Sequence, residues 1–165
     1  MTHYSLLIGS GGGGNEATSF VELTSGSSTF SVPTGYNAIH IQYAVGAGGG
    51  AMRGADYDKA GGESAGAGGG SGAFISDKIF PVTAGETITY AVGAGGARGT
   101  GVYSGSASDG TDTTLSGSTT GAIFTLSGGG GSSCANGGVQ GPVRDNTAGT
   151  AGTDTISGTA ITSGN

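Results

Sequence analysis

The sequence predicts an all-β protein, and three observations carry that prediction. Apolar and polar residues alternate in several short runs, best of all over 36–45, the period of a strand with one buried face. No segment repeats its apolar residues at a helical interval, and the alanines are embedded in glycine, which cancels their helix preference. Glycine supplies 40 of the 165 residues, about a quarter where ~7% is usual. It is gathered into runs at 11–14, 48–50, 68–70 and 128–131 that separate the β-type segments.

Taken in order, Tyr4 to Ile8 reads as a short strand running into glycines, residues 9–17 as a linker or tight turn, and Ser19 to Thr24 as a weak strand. Thr29 to Val32 alternates, and Pro33-Thr-Gly35 is a turn signal. Tyr36 to Val45 places Ile39, Ile41, Tyr43 and Val45 on one face and His40 and Gln42 on the other. A glycine loop over 46–72 carries Met52, Arg53, Asp56, Tyr57, Asp58, Lys59 and Glu63. Phe74 to Val82 is a strand with a bulge expected near Asp77, Thr83-Ala-Gly85 turns the chain, and Glu86 to Val92 points Ile88, Tyr90 and Val92 one way. A second glycine loop, 93–110, carries Arg98 and Tyr103. Thr111 to Leu115 and Ala122 to Leu126 are further strands, and the tail has weak β signals at Thr155 to Ser157 and Thr159 to Thr162. Three regions follow: 1–25, an N-terminal strand and glycine linker able to act as an anchor; 26–131, a glycine-rich β domain; and 132–165, a Gly/Thr/Ser-rich extension.

Composition excludes several classes. Collagen needs glycine at every third position and abundant proline; here the glycines are contiguous and there are three prolines. A disordered linker does not need alternating β-branched and aromatic runs. The net charge is −6 with five scattered basic residues, the opposite of a nucleic-acid footprint. One cysteine, Cys134, forms no intrachain disulfide. The first residues lack a basic stretch and a long apolar run, and no segment is long enough to span a membrane. Ordering so many glycines is entropically costly and buries little apolar surface, so stabilisation by association is expected.

The stretch Tyr43-Ala-Val-Gly-Ala-Gly-Gly49 recurs as Tyr90-Ala-Val-Gly-Ala-Gly-Gly96. In both copies a strand exits into residues without side chains, which can lie directly against another backbone in polyproline-II geometry.

Catalytic and ligand motifs are weak. Gly9-Ser-Gly-Gly-Gly-Gly14 fits the dinucleotide spacing, but a β-like stretch follows where a helix N-terminus is needed. No Gly-Lys-Ser/Thr follows any glycine run. Asp56 with Asp58, and Asp109 with Asp112, read as turn formers rather than calcium ligands. His3 and His40 are the only histidines, and no nucleophile elbow is present. No catalytic residue, metal site or cofactor is assigned. Arg53, Tyr57, Arg98 and Tyr103 are the candidate receptor or subunit contacts, because Tyr and Arg are enriched at binding hot spots and recognition concentrates on loops.

Residues 28–131 resemble the glycine-rich domain of phage tail-fibre and other virion appendage proteins. The resemblance lies in the order of blocks: Thr29-Phe-Ser-Val-Pro-Thr-Gly35, Tyr43-Ala-Val-Gly-Ala-Gly-Gly-Gly50, Gly66-Ala-Gly-Gly-Gly-Ser-Gly-Ala73, Pro81 to Gly96, Asp109-Gly-Thr-Asp-Thr-Thr114 and Phe124-Thr-Leu-Ser-Gly-Gly-Gly-Gly131. The glycine runs are also similar to those of tip adhesins of T-even-like phages, where glycine segments stack as polyproline-II helices and display variable loops; this chain is shorter and lacks a long separate fibre-binding domain. The resemblance implies a small β-sandwich or jelly-roll-like module in a virion appendage, a tail fibre or head decoration. It also implies a homo-oligomer such as a trimer, contacts with other virion proteins, and a host cell-surface receptor as the outside partner. A bacterial extracellular filament or matrix subunit is the competing expectation, with an ice-binding bundle disfavoured for want of regular Gly-x-x spacing.

Overall fold

Alternating runs become strands, and the glycine runs at 48–50, 68–70 and 128–131 become something other than loops. A computed structural model describes residues 5–10, 19–23, 25–52, 66–100, 105–135 and 145–158. Its strands are β1 (Ser5–Ser10), β2 (Ser19–Glu22), β3 (Gly26–Ser31), β4 (Tyr36–Val45), β5 (Phe74–Pro81) and β6 (Thr87–Val92), then β7 (Gly105–Ser106), β8 (Thr113–Gly117), β9 (Gly121–Leu126), β10 (Ser133–Ala135), β11 (Asp145–Thr147) and β12 (Asp154–Ile156). The described residues contain no helix. One sheet has four strands in the order β2-β1-β4-β5, a second has five in the order β12-β9-β8-β6-β3, and a third is the short β11-β10-β7. All strand pairs are antiparallel.

The two larger sheets face each other as a sandwich. Ile39, Ile41, Ala44, Ile75 and Phe80 from one meet Ile88, Leu115, Ile123, Phe124 and Leu126 from the other in a single buried cluster. The rings of Phe80 and Phe124 lie 6.1 Å apart at 46°, a tilted contact between sheets. Each of these large side chains contributes about 1.5–3 kcal/mol through burial. Positive φ angles at Gly26, Gly35, Gly85 and Gly121 serve the corners between strands.

The faces of β4 and β5 differ from the expected strict alternation. Fully buried positions run Ile39, Ile41, then Ala44 on β4, and Phe80 then Ile75 on β5. Both strands change parity between the Ile41–Lys78 and Tyr43–Ser76 pairs, where Asp77 takes φ 51°. The bulge expected near Asp77 is absent, because the register is the same on both sides and neither strand gains a residue; the left-handed Asp77 instead marks where both strands turn over together, and Ala44 goes inward in place of Tyr43. The weak signal at Thr159 to Thr162 lies outside the described residues.

Beyond the strands, four of the pairings continue in register through the glycine runs. Val45 pairs with Phe74; then Gly46 N–H donates to Ala73 C=O (2.7 Å), Gly49 to Gly70 (2.9 Å) and Met52 to Ala67 (3.0 Å). β6 and β8 continue with Thr111 to Ala94 and Ser108 to Ala97. β8 and β9 continue with Gly110 to Gly129 and Ala107 to Ser132, and then resume as the β7–β10 pair. β9 and β12 continue with Ser127 to Thr153 and Gly130 to Thr150, and resume as β10–β11. The small third sheet is therefore the far end of the five-stranded sheet, separated from it by a waist of glycine. Sequence reading missed β7, β10 and β11 because their few residues carry no alternation.

Candidate functional site

Six extended segments form that waist: 46–52, 67–73, 93–99, 107–111, 127–132 and 149–153. The bonds within each pair recur every third residue along both chains, the repeat of a polyproline-II helix. Segments from the two sheets also bond to each other. Gly96 and Gly99 of the third donate to Gly48 and Ala51 of the first; Gly129 and Ser132 of the fifth donate to Ala47 and Gly50; Gly149 and Gly152 of the sixth donate to Gly68 and Ser71 of the second. Face-packed sheets stand ~10 Å apart. Without side chains they close to hydrogen-bonding distance, and the sandwich tapers into a solid bundle.

Glycine is required there for close approach and not for its φ range. A Cβ at Gly49 would overlap the Gly130 carbonyl, one at Gly70 the Thr150 carbonyl, and one at Gly129 the Gly70 carbonyl. Where a row faces outward, space opens: a Cβ at Gly68 would meet nothing within 4 Å, and one at Gly48 only the Gly70 oxygen at 3.8 Å. Three residues further along those outward rows stand Ala51 and Ser71, both exposed. The two copies of Tyr-Ala-Val-Gly-Ala-Gly-Gly supply the first and third segments, which lie side by side and parallel.

Polar side chains cap N–H groups of the bundle for which no carbonyl bond is found. Asp109 Oδ1 accepts from Gly131 N–H (2.7 Å) and Asp112 Oδ1 from Gly128 N–H (3.1 Å). Thr111 Oγ1 accepts from Ala94 N–H (2.7 Å) and Thr113 Oγ1 from Gly93 N–H (2.9 Å). The Asp109 to Thr113 block is thus a row of backbone caps. Among the described residues no group of three His, Cys, Asp or Glu is placed to hold a metal ion; Asp56 and Asp58 lie outside them.

The far end is closed by residues that sequence reading passed over. Ser132, fully buried, accepts from Met52 N–H (2.8 Å) and donates to Ala67 C=O (2.8 Å). One hydroxyl therefore ties three segments, and the only sequence signal was a Ser ending a glycine run. Met52, also buried, bridges to both Ala67 and Gly99. Met52, Thr100 and Ala135, the described residues that precede 53–65, 101–104 and 136–144, all stand at this end. Arg98 is exposed on the third segment. Arg53, Tyr57 and Tyr103 lie outside the described residues, so of the four expected contacts only Arg98 is placed.

At the opposite end Glu86 is buried. Its carboxylate accepts from Thr83 N–H (2.6 Å), Thr119 N–H (3.0 Å), Thr120 N–H (2.9 Å) and Thr120 Oγ1 (2.6 Å), joining the corner between the sheets to the β8–β9 turn. Burial pushes its pKa up, but the Thr120 hydroxyl and the N–H groups of Thr120, Thr83 and Thr119 outweigh it and hold the pKa at about 2. His40 Nε2 lies 2.7 Å from Asp77 Oδ1 on the outer face of β4. Between the sheets a cavity of about 30 Å³, lined by Ile41, Ala44, Tyr90, Leu115 and Phe124 among others, is far below the ~300–1,000 Å³ of a small-molecule site.

Fold and bundle together define a glycine-stacked β module. The chain belongs to the glycine-rich domain family, whose model matches residues 22–165. Comparisons with curated proteins and with solved structures give no match. Among the described residues no helix is long and apolar enough to cross a membrane.

Proposed function

We propose that this chain is a structural component of a phage virion appendage, a tail fibre or head decoration, which presents a recognition surface from the far end of a rigid glycine bundle. The observation that carries the reading is the continuous register from sandwich through bundle to the β11-β10-β7 sheet. It places the residues that flank the connections 53–65, 101–104 and 136–144 at one end of a scaffold with little freedom to deform, which is how recognition segments are held on rigid elements. Arg98 and, in the connections themselves, Arg53, Tyr57 and Tyr103 are the proposed contacts with a host cell-surface receptor or with neighbouring virion proteins, in an assembly of several copies. The work is mechanical and adhesive, with no chemistry assigned.

Immunogold labelling of virions with antibody against the purified chain tests the placement: label on appendages or head surface is expected, and unlabelled particles with labelled bacterial filaments would favour an extracellular filament subunit instead. Adsorption of the fluorescent chain to host cells tests the contacts. Arg98→Ala with Tyr103→Ala is expected to weaken binding about ten-fold or more while leaving the melting temperature unchanged.

A further inference from the structure

Residues 5–22 stand apart from the rest of the chain. The family match begins at residue 22, so β1 and nearly all of β2 fall outside it. Yet β1 sits inside its sheet, between β2 and β4, and pairs with β4 from Ser5–Tyr43 to Ser10–Tyr36. Without this hairpin β4 would be an edge strand of ten residues with no proline, no Asp, Glu, Lys or Arg, and an apolar inner face, the type of edge that recruits another strand. The edges actually presented are blunt. β5 carries Lys78, Pro81 and the left-handed Asp77; β2 has four residues ending in Glu22; β12 has three, starting with Asp154; and β3 is polar apart from Phe30. The hairpin is joined to β3, in the opposite sheet, by residues 23–25 alone.

We propose that the β4 edge is a strand-acceptor surface for a second copy of this chain, filled by that copy's β1–β2 hairpin. An exchanged hairpin makes the same backbone bonds in the same register, so pairing loses nothing; exchange of an identical element is a low-cost route to association, and a three-residue connector is a short hinge of the kind that invites it. Reciprocal exchange closes a pair of copies, and head-to-tail exchange strings them together.

Gly9 and Ala38 are Cα partners. Gly9→Cys with Ala38→Cys, on a Cys134→Ser background, therefore reports which copy supplies the strand. The full chain is refolded over about a hundred-fold range of concentration, oxidised, and run on non-reducing gels beside the single Gly9→Cys control. Disulfide-linked multimers whose share rises about ten-fold across the range are expected, with deletion of Thr24 and Ser25 driving linkage at the lowest concentration. Intrachain links alone at every concentration, or as many multimers in the single-Cys control, overturn the proposal. Should the double variant not fold, sedimentation of the unmodified refolded chain decides: multimers that separate only on unfolding support it, and a monomer throughout overturns it.

Discussion

At Glu86 a single carboxylate holds two turns from different parts of the chain. Its pKa near 2 in the fold, below the ordinary value of 4.5, fixes the sign of its pH dependence. Above pH 4.5 the carboxylate is ionised whether the chain is folded or not, and its contribution is complete. As pH falls from there towards 2 the unfolded chain takes up the proton first, so stability is lost across that window. Glu86→Gln replaces an acceptor with an amide whose NH₂ faces N–H donors. It is expected to destabilise by about 2–3 kcal/mol at neutral pH and to remove this group's share of the acid sensitivity. Urea unfolding of both proteins between pH 7 and pH 2 checks it: the difference between them should shrink as the pH falls, and a constant difference would contradict the assignment. The adjacent glycines 48 and 49 give a second test at this scale. Gly49→Ala forces a Cβ into the Gly130 carbonyl, backbone against backbone with nothing flexible to yield, and should cost at least about 3 kcal/mol. Gly48→Ala points into open space and should stay within about 1 kcal/mol of the parent, on the stabilising side. Thermal melts of the two variants separate these outcomes.

Among the elements, the sandwich strands were legible and the bundle segments only half so. β4, β5, β6, β8 and β9 were found from short runs of β-branched and aromatic residues, alternating along β6 as Ile88, Tyr90 and Val92 do. The expectation that glycine stretches lie main chain against main chain also describes the bundle, but the contact partners are segments of the same chain, where neighbouring copies were expected. Nothing in a run of glycines says which other run it will meet; that is set by the strand registers on either side, and registers are long-range. The regular spacing sought and not found as Gly-x-x exists in the hydrogen bonds, hidden because inward rows mix glycine with buried residues such as Ala47, Ala107 and Ser132 and outward rows admit Ala, Ser or Arg. Ser132 was illegible for the same reason: its burial follows from where the first and second segments cross it. The Asp109 to Thr113 block shows what such caps contribute to an element. Asp109→Ala leaves the Gly131 N–H without its acceptor; at the surface of the bundle water replaces part of the bond, so a loss of about 1–1.5 kcal/mol is expected. Asp109→Asn keeps an acceptor oxygen and should recover about half, read from denaturation midpoints.

For the whole molecule, the bundle changes how stability is distributed. A glycine-rich chain is expected to open easily, because each glycine regains much backbone freedom when released. Here the first and fifth segments each bond to four others, and together they join both sheets. Opening one segment therefore breaks bonds in several directions at once, while its own strand remains anchored in a core that includes Ile39, Phe80 and Leu126. Local fraying is suppressed by this connectivity, and the bundle and sandwich should unfold as one cooperative unit. Native-state hydrogen exchange tests this directly. The amides of Gly70, Gly110, Gly129 and Gly130 should exchange as slowly as those of Ile88 and Leu115, by global unfolding. Gly70→Ala should speed exchange at Ile88 and Leu115 by the same factor as in the bundle, although neither strand touches residue 70. If the glycine amides exchange orders of magnitude faster than the strands, or if Gly70→Ala leaves strand protection untouched, the waist is a separate soft unit, and a rigid platform for the far end is lost with it.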